Sequence, residues 1–182
     1  MSEEMMINNC SPTLAGLKTG SLLTAGFRDG AERVAVLRSW NSLLLKKGLR
    51  AVPLGEKNGR TLVYVYRISR LCSDLRDSAA RSILSVRGYD CDRPESCIIR
   101  LTKRLQSGCG FPHEIGLFLG YPPEDVSGFI CGKHPCKLTG VWKVYGNEER
   151  AKKTFARYRK CTRIYGELYA SGRSMEKLVV AG

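Results

Sequence analysis

The chain has 182 residues, of which 43% are hydrophobic, and this is enough for one domain with a buried core. Its 30 Lys and Arg against 17 Asp and Glu give a net charge of +13, which favours an anionic partner such as nucleic acid, a phosphorylated ligand, an acidic protein or a membrane surface. No apolar run is long enough to cross a bilayer, the first residues are acidic, and the eight cysteines have no regular spacing, so we expect a cytoplasmic protein with reduced thiols rather than a membrane or disulfide-stabilised secreted one.

The amino-terminal segment predicts a short helix after a flexible tail. Residues 1–9 show no periodic pattern, whereas Ser11 and Pro12 suit the N-cap and the first position of a helix. This places the Cys10 thiol beside a helix N-terminus, where unpaired N–H groups lower a thiol pKa. We expect the following segment to be short or irregular, as in a loop near a ligand, because it contains Gly16, Gly20 and Gly26.

A helix and a β-hairpin are predicted next. Apolar residues recur at helical spacing from Ala31 to Gly48, and Leu49–Leu54 and Arg60–Arg67 then read as two strands. The turn between them contains Asn58-Gly59, which is the strongest short-range hairpin signal. Residues 62–66 are apolar or aromatic throughout, which predicts that the second strand is central in its sheet.

The middle of the chain predicts two helices and a parallel strand pair. One helix runs from Ser69 to near Gly88, and the other follows Asp92, which forms a capping box with Glu95. His113–Leu119 reads as a strand buried on both faces, ended by two prolines that begin a helix. A further strand from Leu138 to Tyr145 would then complete a strand, helix and strand unit with a right-handed crossover.

The last long helix is predicted from Asn147 to about Ser171, with an apolar stripe at spacings of four and three. Residues 172–182 are expected to form a second flexible tail. The predicted fold is therefore a single α/β domain of the mixed α+β kind over residues 1–182. It has a mixed sheet of about four strands, namely the hairpin and the parallel pair, covered by four or five helices.

Four sequence blocks resemble a known family. They are Cys10–Lys18 (CSPTLAGLK), Leu62–Arg67 (LVYVYR), Phe111–Val126 (FPHEIGLFLGYPPEDV) and Trp142–Gly146 (WKVYG). Together they resemble a bacterial family catalogued as a domain of unknown function and found mostly in anaerobes, over about residues 10–169. The resemblance implies no activity or cofactor. The chain departs from the family at Asn9, where a histidine is expected, and this weakens any role for a His-Cys pair there.

The leading functional hypothesis is a cytoplasmic ligand-binding or thiol-dependent enzyme-like domain. Cys10 would be the reactive thiol and His113 its base, the usual ingredients of acyl or thiol transfer. The same pocket would hold ligand through Lys18, Glu114 and Tyr121. In the competing interpretation, Cys10 is a small buried residue and His113 a hydrogen-bonded residue at a strand end.

The alternative hypothesis is a non-catalytic module that binds an anionic partner, either nucleic acid or an acidic protein, through the last helix. No acidic residue interrupts its cations from Arg150 to Arg163, so they could follow a phosphate backbone. A solvated helix face is the other explanation of this pattern. The proposed anion-binding residues are Arg150, Lys153, Arg157, Arg159, Lys160 and Arg163.

A metal site is a further alternative, with Cys131, His134 and Cys136 as weak candidate ligands. A fourth ligand would come from Cys109, Cys91 or Cys10. The spacing lacks the paired CxxC halves of structural zinc sites, so loop thiols that lie close by coincidence are the simpler explanation. The sequence indicates no cofactor, substrate or oligomeric state.

Overall fold

The computed structural model describes residues 3–108 and 110–182. A three-residue 3-10 turn, Leu45–Lys47, follows the second helix. The other elements, in chain order, are α1 (Glu3–Leu14), β1 (Gly20–Gly26), α2 (Gly30–Leu44), β2 (Leu49–Lys57), β3 (Arg60–Arg67), α3 (Ile68–Arg76), α4 (Ser78–Ser85), α5 (Pro94–Gln106), α6 (Ile115–Phe118), α7 (Pro123–Cys131), β4 (Leu138–Thr139), β5 (Lys143–Val144), α8 (Glu148–Ala170) and α9 (Met175–Leu178).

The fold is mixed α+β, which confirms the predicted class. The chain divides into two compact units: the first takes the described residues up to Arg70 together with Tyr158–Gly182, and the second is Leu71–Arg157. The expectation of one domain over residues 1–182 stays a prediction, and each unit is considered by itself. Among the residues that the structure describes, no helix combines the length and the apolarity that crossing a bilayer requires.

An antiparallel sheet with the strand order β1-β3-β2 forms the framework of the first unit. The β2–β3 hairpin is confirmed, and its turn places Asn58 and Gly59 at positive φ values of 52° and 69°. Strand β3 is central, as its uninterrupted apolar run predicts. Strand β1 was missed because its terminal glycines resemble loop residues, yet it pairs with β3 from Gly20 opposite Tyr66 to Gly26 opposite Arg60.

Helix α1 begins at Glu3, so the prediction of a helix that starts at Ser11 is wrong. Its buried side carries residues three and four apart, namely Met6, Ile7, Cys10 and Leu14. Pro12 lies in the last turn, where its missing N–H removes one hydrogen bond of the helix. Its carbonyl accepts hydrogen bonds from the backbone N–H groups of Leu17 (2.8 Å) and Lys18 (3.0 Å), which turn the chain towards β1.

The two segments predicted as flexible tails both contain residues that are buried in the structure. Residues 3–9 belong to α1, and Met6 and Ile7 are fully buried. At the other end, α9 is buried in the same hydrophobic core. Beyond it, the N–H of Val180 donates to the carbonyl of Leu14 at 3.1 Å, and that of Gly182 donates to Lys47 at 3.1 Å. Isolated apolar residues in short segments give no periodicity, which is why this packing could not be predicted.

In the second unit, the predicted helix from Ser69 to Gly88 is interrupted at Asp77. The carboxylate of Asp77 accepts a hydrogen bond from the N–H of Ala80 at 2.9 Å and caps α4. The predicted strand His113–Leu119 is wrong, because residues 115–118 form the short helix α6. All four are buried, so an apolar run that fits a strand buried on both faces is equally a helix buried all round.

The parallel strand pair is consequently not formed in the part of the chain that the structure describes. The predicted strand from Leu138 to Tyr145 is instead a small antiparallel hairpin of β4 and β5, with Leu138 opposite Val144. A small core of Val144, Ala151 and Phe155 lies beneath it. Helix α8 agrees with its predicted range and begins after Asn147, whose side chain accepts a hydrogen bond from the N–H of Arg150 at 2.9 Å.

Candidate functional site

Cys10 lies inside α1, two turns after the helix begins, and is fully buried in the core of the first unit. Burial raises the pKa of its thiol to about 12, against a smaller opposing effect of the positive charge of Lys18. The predicted activation by a helix N-terminus is absent, because α1 begins at Glu3. A thiolate at Cys10 is therefore strongly disfavoured near neutral pH.

Lys18 is buried in the turn between α1 and β1. Burial lowers the pKa of its ammonium group to about 8, and the neighbouring Cys10 partly opposes that shift. Other buried polar groups lie on either side of this turn, where the hydroxyls of Thr13 in α1 and Ser21 in β1 form a hydrogen bond of 2.9 Å. The stretch from the end of α1 to the start of β1 thus contains several buried polar side chains, which are those of Ser11, Thr13, Lys18, Thr19 and Ser21.

Replacing Lys18 with methionine is expected to remove a pH dependence of stability. A folded-state pKa of about 8, below the ordinary 10.5, penalises the folded protein at low pH, and this penalty is relieved as the pH rises from 8 to 10.5. Between pH 7 and pH 10 the wild type should gain about 2 kcal/mol relative to the variant. Urea unfolding of both proteins at the two pH values measures this change. The exposed Lys46→Met should show no such difference, and equal pH profiles for Lys18→Met and wild type would contradict the expectation.

His113, the predicted base, belongs to the second unit, whereas Cys10 belongs to the first. Its ring is exposed and contacts Phe129 edge to face, with the ring centroids 4.8 Å apart. The predicted pairing of Cys10 with His113 stays a prediction. The raised thiol pKa of Cys10 and its full burial both weigh against it as a nucleophile.

Glu114 is buried, and its carboxylate is partnered within the second unit. It accepts a hydrogen bond of 2.8 Å from the hydroxyl of Tyr89, and its oxygens lie 2.6 Å from Nε of Arg104 and 3.8 Å from Nε of Arg87. Burial and the bond to Glu114 raise the pKa of Tyr89. The predicted ligand-binding carboxylate therefore binds residues of its own unit.

Asp125 is a second buried carboxylate, and sequence reasoning missed it as a partner-binding residue. It accepts three hydrogen bonds of 2.7 Å, from the indole N–H of Trp142 and from the backbone N–H groups of Tyr145 and Gly146. These bonds fasten the start of α7 to the Trp142–Gly146 block. The signal in the sequence was the carboxylate of Asp125 directly before the apolar residues of α7, with Trp142 further along the chain.

Tyr121, the third predicted ligand-binding residue, lines a pocket of about 370 Å³ in the second unit. Its ring stacks on Trp142, with centroids 4.8 Å apart and an interplanar angle of 29°. The pocket is also lined by Arg150. It therefore combines Tyr121, predicted to bind a ligand near Cys10, with Arg150, predicted to bind an anionic partner. Its complete lining is Asp74, Asp77, Ala80, Leu117, Gly120, Tyr121, Pro122, Pro123, Glu124 and Arg150. Three carboxylates and one guanidinium make this a recess of mixed charge.

The weak metal candidates extend from the last residue of α7, Cys131, into the segment that follows it. Cys131 and His134 are exposed, and Sγ of Cys136 lies 3.5 Å from the hydroxyl of Thr139. Over residues 3–108 and 110–182, no group of three or more His, Cys, Asp or Glu side chains is arranged to hold a metal ion. Cys109, considered as a fourth ligand, lies outside the described residues.

Helix α8 presents the predicted cations to solvent. All six of them and Lys152 are exposed, while Ala151, Phe155, Tyr158 and Cys161 are buried. Acidic partners occupy the two ends of the helix, since Lys152 lies 2.7 Å from Glu148 and Arg163 lies 2.8 Å from Glu167. Among the described residues, no ion pair within 4.0 Å involves the remaining cations, which are Arg150, Lys153, Arg157, Arg159 and Lys160.

Four of these five cations form one stripe along the helix. Arg150, Lys153, Arg157 and Lys160 follow one another at spacings of three, four and three residues, which places them on one side of an α-helix. The stripe is about 15 Å long. We call these four residues the basic stripe.

In a comparison with protein families, the family described as Protein of unknown function (DUF3793) matches residues 6–179. This confirms the predicted resemblance to a family of unknown function, whereas its occurrence in bacteria and mostly in anaerobes stays an expectation. No curated protein and no solved structure matches the chain.

Proposed function

Because the chain belongs to the DUF3793 family, whose proteins are of unknown function, we infer its function from the geometry of its own residues and propose that it binds nucleic acid through the basic stripe of α8. In this proposal the protein is a non-catalytic module. We place the interaction in the cytoplasm, following the expectation from the sequence.

The observation that carries the proposal is a row of exposed cations that form no ion pair within 4.0 Å with any carboxylate of the described residues. A surface cation with an acidic neighbour is already partly neutralised, as Lys152 and Arg163 are. The basic stripe is not, although α8 contains acids at both ends. A row about 15 Å long matches a linear array of phosphates better than it matches a compact anion, and each neutralised phosphate releases counterions.

A nucleic acid also fits better than a lipid surface. A helix that binds membranes inserts its apolar side, and on α8 that side is buried within the protein at Ala151, Phe155 and Tyr158. Only the charged side is available to a partner. Phosphate contacts of this kind position a nucleic acid without reading its sequence, so we expect little sequence preference.

Neutralising half of the basic stripe is expected to weaken binding and to lower its salt dependence. In Arg157→Gln/Lys160→Gln, the loss of two phosphate contacts should reduce the slope of log K against log salt by roughly 1.5 to 2 and weaken binding about tenfold. The measurement is fluorescence anisotropy with a labelled oligonucleotide in about 50 to 200 mM KCl. Both substitutions are at exposed positions, and circular dichroism checks that the helix is retained.

The matched control is Lys152→Gln/Arg163→Gln, on the same helix and with the same loss of charge. These two cations already have carboxylate partners, so their variant should change the slope by much less. Equal losses in the two variants would show that net charge alone attracts the oligonucleotide and would reject the basic stripe as a site. Polyglutamate as a competitor tests the alternative that the partner is an acidic protein. Displacement of the oligonucleotide by polyglutamate at equal charge concentration would support that alternative.

A further inference from the structure

Three exposed aromatic rings lie together in the second unit, and neither the core nor the pocket uses them. Phe111 and Phe129 are 53% and 37% exposed, and the exposed ring of His113 contacts both. The centroid of His113 lies 4.8 Å from that of Phe129 and 6.2 Å from that of Phe111. We call these three residues the aromatic cluster.

Several exposed aromatic rings in contact with one another are unusual, whereas isolated exposed apolar residues occur on every protein surface. Isolated exposed side chains need no explanation, but a contiguous apolar patch marks a contact surface. Here the rings contact one another while much of their area faces solvent. We therefore interpret the aromatic cluster as a binding surface. The charge of Lys143 beside it indicates the charge of the partner.

A positive charge lies beside the aromatic cluster. Nζ of Lys143 lies 5.4 Å from the centroid of the Phe129 ring. Glu114, next to His113, is buried and held by Arg104 and Tyr89. A partner that contacts this surface is thus expected to offer flat apolar faces and negative charge together.

We propose that the aromatic cluster is a stacking platform for the bases of single-stranded nucleic acid, with Lys143 beside it to contact the phosphates. This proposal rests on the function proposed above and narrows it from nucleic acid in general to single strands. Inside a duplex the bases stack on one another and their faces are inaccessible. In a single strand the faces are accessible and stack on aromatic side chains largely independently of sequence. The combination of a positive surface with aromatic rings is the usual arrangement for such binding.

The test compares three probes that share negative charge but differ in accessible bases: a single-stranded oligothymidylate, a DNA duplex of equal length and inorganic polyphosphate. Phe111→Leu removes the most exposed ring and keeps an apolar side chain. We expect it to weaken binding of the single strand about tenfold and to leave the other two probes within about twofold. Phe111→Trp should restore binding of the single strand, and Phe129→Leu should repeat the loss.

The control variant is Ile99→Ala, which removes an exposed apolar side chain, 56% exposed, from the same unit. It should change none of the three affinities, and thermal unfolding of every variant checks that the fold is kept. Equal loss for all three probes in Phe111→Leu would overturn the stacking platform, as would unchanged binding of the single strand. If the basic-stripe variant still loses affinity in that case, the proposed function stands and only the platform is rejected.

Two other results would also overturn the platform. If Phe111→Leu changes the sedimentation coefficient of the free protein, the cluster is a contact between copies of the chain. If wild type binds none of the three probes, both proposals fail together.

Discussion

Replacing Arg67 with methionine is expected to destabilise the protein by about 3–5 kcal/mol, because three carbonyls, two of them buried, lose their donor. The guanidinium of Arg67 donates hydrogen bonds to Thr13 (2.7 Å), Leu14 (2.7 Å) and Val180 (2.8 Å), and the residue is 3% exposed. It thus joins the end of α1 to the carboxyl-terminal segment. Burial lowers the pKa of Arg67, and removing the buried charge offsets part of the loss.

Urea unfolding measures the change in the free energy of unfolding, and hydrogen exchange locates it. In the variant, the amides of Val180 and Gly182 should exchange much faster, because both belong to the segment that Arg67 binds through the carbonyl of Val180. Arg67→Lys keeps the charge, but a single ammonium group lacks the planar fork that reaches three carbonyls, so it should recover only part of the stability. The neighbouring exposed Arg70→Met is the control and should change stability by less than about 0.5 kcal/mol. A similarly small effect of Arg67→Met would disprove the role of the guanidinium.

Replacing Asp125 with alanine should destabilise the second unit by a comparable amount, about 3–5 kcal/mol. Three donors lose their acceptor at once, namely the indole N–H of Trp142 and the backbone N–H groups of Tyr145 and Gly146. Asp125 also lies in the first turn of α7, where a carboxylate is favoured by the helix dipole. The β4–β5 hairpin should detach from α7 before the rest of the unit unfolds.

The fluorescence of Trp142 reports this detachment during urea unfolding, with Trp40→Phe as the background to isolate its signal. Asp125→Asn keeps one carbonyl oxygen but presents an amide N–H₂ to the donors, so about half of the loss should persist. Glu124→Ala removes the adjacent, exposed carboxylate and is the matched control. If Asp125→Ala and Glu124→Ala unfold at the same urea concentration, the three hydrogen bonds do not hold the hairpin.

Local signals were sufficient for the elements that carry strong periodicity or a specific turn. Helix α8 could be predicted because its apolar residues recur at spacings of four and three over many turns. The β2–β3 hairpin followed from Asn58-Gly59, since both residues adopt the positive φ that this turn requires. The parallel pair failed because a short apolar run such as residues 115–119 has no period that separates a strand from a buried helix.

The candidate sites divide in the same way. The exposure of the α8 cations follows from helical periodicity, because all of them lie off the apolar stripe and the four of the basic stripe share one side of the helix. The environment of Cys10 could not be predicted, because its burial depends on packing with residues distant in sequence, including Met175 and Leu178. The aromatic cluster was missed for a related reason: the contact of Phe129 with His113 joins residues 16 positions apart and is visible only in three dimensions.

The order of the chain in the two units has a consequence for synthesis on the ribosome. The second unit, Leu71–Arg157, is continuous and emerges complete, whereas the sheet of the first unit emerges early and waits for α9 and the Val180 contact. Until then the apolar side of α1 lacks part of its cover, including Met175 and Val179. Nascent chains stalled before residue 175 should therefore recruit chaperones, whereas chains whose residues 175–182 have left the ribosome should recruit them less.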